Sequence, residues 1–387
     1  TDLLYDDTFK TNVYSIFGQL AYDVVDNVEL ALALRYDSEQ RDVDNNVKTC
    51  NSSTPTACRA QTPLFAFGSN PYINPAYTAN NAYATDGIPD RSKTFSELQP
   101  KLSANWAVDE DISLFASYGF GFRSGGFNSS GSEATINQYF GNLFYEPGVP
   151  NISNVKDDYK SETSEAAEIG MKSILLDRHL QVNLAAFYTS VEDLQFFNFF
   201  VGPFGLLRVV TNIDEVTIQG LEADFHWNVT DSVSIYGGYS YIDSEIDQYN
   251  GRPYTEGNKV PYAPDYTGNL GVEWLYPMTD SLKLLARLDA TFVGETWFSP
   301  VQGETLPNLF TGFGFGNGDF SKQKRDAYST LNLRLGVEGE NWSATAWGRN
   351  VGDEDYLQEI IPAPEFGGSF IHQSPGDSYG VEVTYKF

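Results

Sequence analysis

The chain has 387 residues and a formal net charge of −28, from 24 Lys and Arg against 52 Asp and Glu. That deficit of positive charge argues against nucleic acid as a partner, because phosphate binding needs a surplus of Lys and Arg. No stretch approaches the roughly 18 consecutive apolar residues of a transmembrane helix, so membrane residence would have to be by strands, which 34 Gly and 15% aromatic residues suit.

The first patterned segment is a hairpin. Tyr14, Ile16, Leu20, Tyr22 and Val24 alternate towards a turn at Val25-Asp26-Asn27, and Val28, Leu30, Leu32, Leu34 and Tyr36 alternate away from it. Glu29, Ala31, Ala33, Arg35 and Asp37 fill the opposite face of the second arm, and a period of two gives each strand two distinct faces. Just beyond, Asp42, Asp44 and Asn46 have the Asp-x-Asp-x-Asn spacing of an oxygen cage for calcium, without the Gly and distal Glu of an EF-hand. An ordinary acidic loop is the competing reading, and no resident cofactor is expected. Cys50 and Cys58 follow in a polar segment and suggest a local disulfide formed in an oxidising compartment, with two free thiols as the alternative.

The clearest hairpin comes next. Leu98, Pro100, Leu102, Ala104, Trp106 and Val108 alternate with Gln99, Lys101, Ser103 and Asn105. After Asp109-Glu110-Asp111, Ile112, Leu114, Ala116, Tyr118, Phe120 and Phe122 alternate with Ser113, Ser117, Gly119, Gly121 and Arg123. Each arm runs about 11 residues, the length of a tilted strand crossing hydrocarbon, whereas strands of soluble sheets are typically about 5 or 6 long. Small and polar partners on one face suit a wet lumen. The rim beyond this strand, Arg123, Ser124, Gly125, Gly126, Phe127 and Asn128, is the candidate ligand-binding segment: Arg offers five donors and a stacking plane, Phe an apolar face, and glycines allow close approach. The plainer reading is a strand that needs glycines to bend and an Arg paired with a lumen carboxylate.

Four further short turns lie at Leu176-Asp177-Arg178, Thr230-Asp231-Ser232, Thr279-Asp280-Ser281 and Gly339-Glu340-Asn341, each between alternating arms. Trp106, Trp227, Trp274 and Trp342 fall near short turns on the apolar face, where an aromatic girdle belongs. The other strand ends carry long connections, near 39–92, 124–158, 198–205, 247–260, 299–324 and 354–374. Connections of that size in a compact fold are usually functional, and outer-membrane barrels put short turns in the periplasm and long loops outside. Phe140, Phe144, Tyr145, Phe310, Phe313 and Phe315 lie in those loops as ligand- or lid-contacting aromatics, or as loop packing. A last strand alternates through Tyr379, Val381, Val383, Tyr385 and Phe387. Six hairpins and this strand make thirteen, an odd number, which leads us to expect further strands upstream. No catalytic constellation emerges: His179, His226 and His372 are the only histidines and lie apart.

Taken together these segments resemble TonB-dependent outer-membrane receptors over nearly the whole chain. The likeness rests on Phe17-Gly18-Gln19, Leu34-Arg35-Tyr36, Pro100-Lys101-Leu102, the run from Tyr118 to Asn128, and Glu162-Thr163-Ser164-Glu165 with Glu168-Ile169-Gly170. Gly220-Leu221-Glu222, Pro261-Tyr262-Ala263-Pro264, Asn269-Leu270-Gly271, the run from Arg349 to Tyr356, and Tyr385-Lys386-Phe387 continue it. The resemblance implies an all-β transmembrane antiparallel β-barrel of about 22 strands, of which residues 1–387 supply the C-terminal thirteen. It also implies an N-terminal plug, TonB with its inner-membrane energising complex as partner, and a surrounding of outer-membrane lipid and lipopolysaccharide. The expected activity is energised import of a scarce, bulky nutrient, a siderophore-type metal chelate by default, with a lipoprotein partner conceivable and no chemistry on the cargo. A passive porin and an adhesin are the alternatives. The acidic balance points away from a strongly anionic ligand.

Overall fold

The computed structural model describes residues 5–46, 88–140, 155–202, 205–306, 316–363 and 368–387. Thirteen strands form one sheet in chain order, each antiparallel to the next. They are β1 Asp7–Val25, β2 Val28–Asn45, β3 Arg91–Ala107, β4 Ile112–Arg123, β5 Glu162–Leu175, β6 Leu180–Gly202, β7 Gly205–Thr230, β8 Val233–Gln248, β9 Tyr266–Thr279, β10 Leu282–Val293, β11 Tyr328–Glu338, β12 Trp342–Arg349 and β13 Ser378–Tyr385. All six short turns expected from the Asp- and Asn-containing tripeptides join these hairpins.

Register explains the alternation. Leu20 pairs with Leu32, Leu32 with Leu102, and Leu102 with Tyr118, so one row crosses four strands on a single face. Tyr14, Ile16, Tyr22, Leu34, Tyr36, Leu184, Leu270, Leu335 and Val383 are likewise exposed. An exposed apolar belt of this extent marks a membrane surface, and each apolar cross-strand pair adds about 0.2–1 kcal/mol to the sheet. Trp106, Trp227, Trp274 and Trp342 are exposed on this face close to the short turns.

The opposite face is polar and internally bonded. The Asp37 carboxylate accepts from Ser15 Oγ, from Arg35 Nε at 2.7 Å and from Gln99 Nε2 at 2.6 Å, tying three strands together. Tyr236 donates to Asp289 at 2.6 Å while Arg287 grips the same carboxylate through Nε and Nη2.

The main apolar core lies in the exterior parts of β6, β7 and β8 and the loops next to them. Val191, Phe196, Ile213, Val216, Ile246, Tyr249 and Val260 form one buried cluster, and Val301, Leu306 and Phe320 a smaller one. One expectation needs correction here. The segment near 198–205 is not a long connection: β6 continues to Gly202 and β7 starts at Gly205, with Leu194 still paired to Ile213 and Phe200 to Leu207. Its alternation is hidden because Phe196-Phe197 and Phe199-Phe200 place aromatics on both faces, as a ribbon packed on two sides requires.

Candidate ligand site at the exterior mouth

The rim segment leaves β4 and is stitched to the β6–β7 ribbon. Ser124, 4% exposed, donates from Oγ to Glu39 at 2.6 Å and accepts from Arg41. A Cβ on Gly125 would come within 2.5 Å of Phe95 and of the Tyr159 carbonyl, so the chain passes there only as glycine. Gly126–Phe127 pairs with Asp158–Tyr159, and Arg91 stacks over Phe127 at 4.8 Å. Asn128, 5% exposed, donates from Nδ2 to the carbonyls of Lys156 (2.8 Å) and Val210 (2.9 Å) and accepts from Val210 N (2.8 Å). Arg123 alone of the rim set reaches into solvent, its side chain 66% exposed and 3.8 Å from Glu162.

Beyond the rim, the helix α1 Ser132–Phe140 starts on the Asp157 carboxylate, which accepts from Glu133 N at 2.9 Å and Gly131 N at 3.1 Å. Burial pushes the Asp157 carboxyl above the usual carboxylate range, against those two backbone bonds and Arg91. A cleft of about 290 Å³ opens beside Lys160, Asp193, Asn212 and Asp214. The Asp193 carboxylate at 2.8 Å holds the Lys160 ammonium above its ordinary pKa.

Across the mouth the structure assembles rings and guanidinium groups from five separate stretches. Arg208 lies 4.6 Å over Phe197, which meets Tyr262 at 5.7 Å, and Tyr262 meets Phe298 edge-on at 5.2 Å. Arg325 then bridges Phe298 (5.7 Å) and Tyr328 (4.9 Å), and Tyr328 stacks on Tyr356 at 3.8 Å. Each cation–ring contact is worth about 0.5–2 kcal/mol. The centre of this ladder is strained. Tyr262 has φ +66°, and its Oη is buried with no hydrogen-bond partner among the described residues. Burial, with Glu359 nearby, pushes its phenol up to about 12. Left-handed backbone at a bulky residue and an orphaned buried hydroxyl both cost free energy, a combination that clusters at binding sites.

Sequence reasoning reached the rim but not the ladder. Tyr262 stood only within a family-like motif, and the other ladder members come from the outer parts of β6, β7 and β11 and from loops, so no single period joins them. Asp42, Asp44 and Asn46 sit near the end of extended β2, where alternate residues stand about 6.6 Å apart and do not converge. Among the described residues no group of three or more His, Cys, Asp or Glu is placed to hold a metal ion. Cys50, Cys58, Phe144, Tyr145, Phe310 and Phe313 lie outside the described residues, as does Phe315.

Residues 2–351 match the family described as TonB dependent receptor-like, beta-barrel. The probable TonB-dependent receptor BfrD of Bordetella pertussis is 28% identical over 263 residues, 66% of this chain and 27% of that protein. The probable TonB-dependent siderophore receptor PiuA of Acinetobacter baumannii is 31% identical over 108 residues, 28% of this chain and 13% of its own. Among solved structures, the ferric yersiniabactin uptake receptor FyuA of Yersinia pestis superposes with a TM-score of 0.66 at 15% identity, over 98% of this chain and 46% of FyuA. The PiuA structure gives 0.64 at 15%, over 99% and 44%. The chain thus spans less than half the length of each of these proteins.

Proposed function

The chain belongs to the TonB-dependent receptors, as outer-membrane barrel wall, and from that membership we propose that it captures a scarce, bulky nutrient at its exterior mouth for energised import. The default cargo is a siderophore-type metal chelate, the ligand class in the names of PiuA and FyuA. TonB with its inner-membrane complex supplies the energy through a plug domain, and the barrel wall performs no covalent chemistry on the cargo.

The observation that carries the reading is the strained Tyr262 within the Arg208-to-Tyr356 ladder. Flat rings and fork-shaped cations offer stacking and bidentate hydrogen bonds to a planar, oxygen-rich chelate. Ligand oxygens would satisfy the Tyr262 hydroxyl, which has no hydrogen-bond partner among the described residues. Arg123 and Phe127 form the facing rim in this reading, with Ser124, Gly126 and Asn128 fixing its backbone.

The test is uptake of radiolabelled ferric chelates by cells carrying the receptor. Uptake of one chelate class should cease when the proton-motive force is collapsed, and should fall at least about tenfold in Arg208→Ala or Tyr262→Ala, the loss expected for one anchor residue covered by the ligand. Uptake that persists without proton-motive force would make the barrel a passive pore and end the proposal.

A further inference from the structure

Between the rim and the aromatic ladder lies a joint made almost wholly of side-chain amides gripping backbone. The β5–β6 pairing ends at Thr163 and Glu192, and β5 itself starts at Glu162. The outer half of β6 has therefore lost its neighbour on that side, while on the other it stays paired with β7, Gln195 opposite Asn212. Backbone N–H groups left without a ladder must find acceptors elsewhere. The Gln195 N–H donates to Glu162 Oε2 at 2.7 Å, and the same carboxylate oxygen stands 3.8 Å from Arg123 Nη1. The Gln195 side chain donates from Nε2 to the carbonyls of Ser124 (2.9 Å) and Lys160 (3.2 Å).

Asn212 completes the joint from across the rung. Its Oδ1 accepts from the Lys160 N–H at 2.9 Å, and its Nδ2 donates to the carbonyls of Asp193 (2.7 Å) and Lys160 (3.2 Å). The Lys160 ammonium donates to Asp193 Oδ1 at 2.8 Å. All three polar groups of Lys160 thus bond to the ribbon, and two side-chain amides hold its peptide as a neighbouring strand would. Bonds that share partners in this way reinforce one another. Phe197 follows Gln195 by two residues and Arg123 directly precedes Ser124, so the joint sits between the ladder side and the rim side of the mouth.

We propose that Gln195 and Asn212 are positioning residues, whose amide clasp on Ser124 and Lys160 locks the rim and the β6–β7 ribbon into one body, so that Arg123 and the Arg208–Phe197 pair meet cargo at a fixed spacing. The inference rests on the receptor reading and deepens it: capture belongs to two surfaces already held together, and residues that touch no cargo set its affinity. Two contacts held at a fixed spacing reinforce each other through a high effective concentration, an advantage that a loose joint forfeits.

The first test needs no cargo. Spin labels are placed at Asn137→Cys on α1 and Leu206→Cys near the ribbon tip, both exposed positions, in the full-length receptor in detergent with Cys50→Ser and Cys58→Ser. Pulsed electron paramagnetic resonance should give one narrow distance distribution. Gln195→Glu keeps the side-chain shape and removes the donor, so it should widen the distribution or add a second distance, as should Asn212→Ala. Heat-modifiable gel mobility shows that the barrels are folded. A broad distribution in the parent would overturn the proposal, as would an unchanged one in Gln195→Glu. The second test is radiolabelled ferric-chelate uptake. The combined loss in Arg123→Ala/Arg208→Ala should fall short of the product of the single losses by at least about threefold, and that shortfall should shrink in a Gln195→Glu background. A shortfall of the same size in both backgrounds would overturn the positioning role, which a merely structural residue would not show. Absence of any chelate uptake counts against the receptor reading, while the distance measurement still decides the joint.

Discussion

Asn128 shows how a residue that reads as a ligand contact can be a clip. All three side-chain bonds go to backbone of Lys156 and Val210, so Asn128→Ala should strand buried peptide groups at a cost of about 2–3 kcal/mol. The loss is local: limited proteolysis should cut the 124–160 connection sooner, with the barrel's heat-modifiable mobility unchanged. Asp157 adds a pH dependence to the same loop. Its folded pKa lies above the unfolded value, so its stabilising contribution is complete below the ordinary aspartate range and is lost as pH rises through the raised value. Hydrogen-exchange protection of the α1 start, corrected for intrinsic rates, should therefore be greater in mild acid than at neutral pH. Asp157→Asn should flatten that difference.

At the level of strands, lumen aromatics and glycines are paired with a regularity that alternation alone does not reveal. Phe115 opposes Gly170, Phe187 opposes Gly220, Tyr236 opposes Gly271 and Trp347 opposes Gly380. Each ring lies across the neighbouring strand instead of projecting into the lumen, and a Cβ on any of these glycines would come within 2.7 Å of it. Gly271→Ala should lower stability by about 1–3 kcal/mol through overpacking, read as a lower temperature for the gel-mobility transition. Because all three nearest atoms belong to the Tyr236 ring, adding Tyr236→Ser should relieve the clash. A double variant no more stable than Gly271→Ala would show that the strain lies in the backbone. The strands, their faces and the turns were legible because a two-residue period is printed in the chain itself. The glycine–ring pairs and the mouth ladder were not, because each joins residues whose proximity is set by register between strands or by loop packing.

For the molecule as a whole, the tryptophans near the short turns fix its height in the bilayer. Trp106, Trp227, Trp274 and Trp342 face outward at that end, and indoles favour the headgroup boundary. In a Trp297→Phe/Trp347→Phe background, lipids brominated near the headgroup should quench fluorescence more than lipids brominated near the chain ends. The reverse order would mean that the belt sits deeper than the turns suggest.

Asp193 stands in the left-handed region at φ +54°, and around it the side of the β6–β7 ribbon that is buried shifts by one residue. Below it Val191 and Val216 face the cluster; above it Leu194, Phe196 and Ile213 do, with the ladder register unbroken. The ribbon therefore obeys two amphiphilic codes in succession, one written for hydrocarbon and one for the exterior cap. The outer part can be shortened or extended by whole rungs without disturbing the wall beneath it. An insertion of a single residue in each arm just above Asp193 would instead turn the cap's greasy side towards the rim.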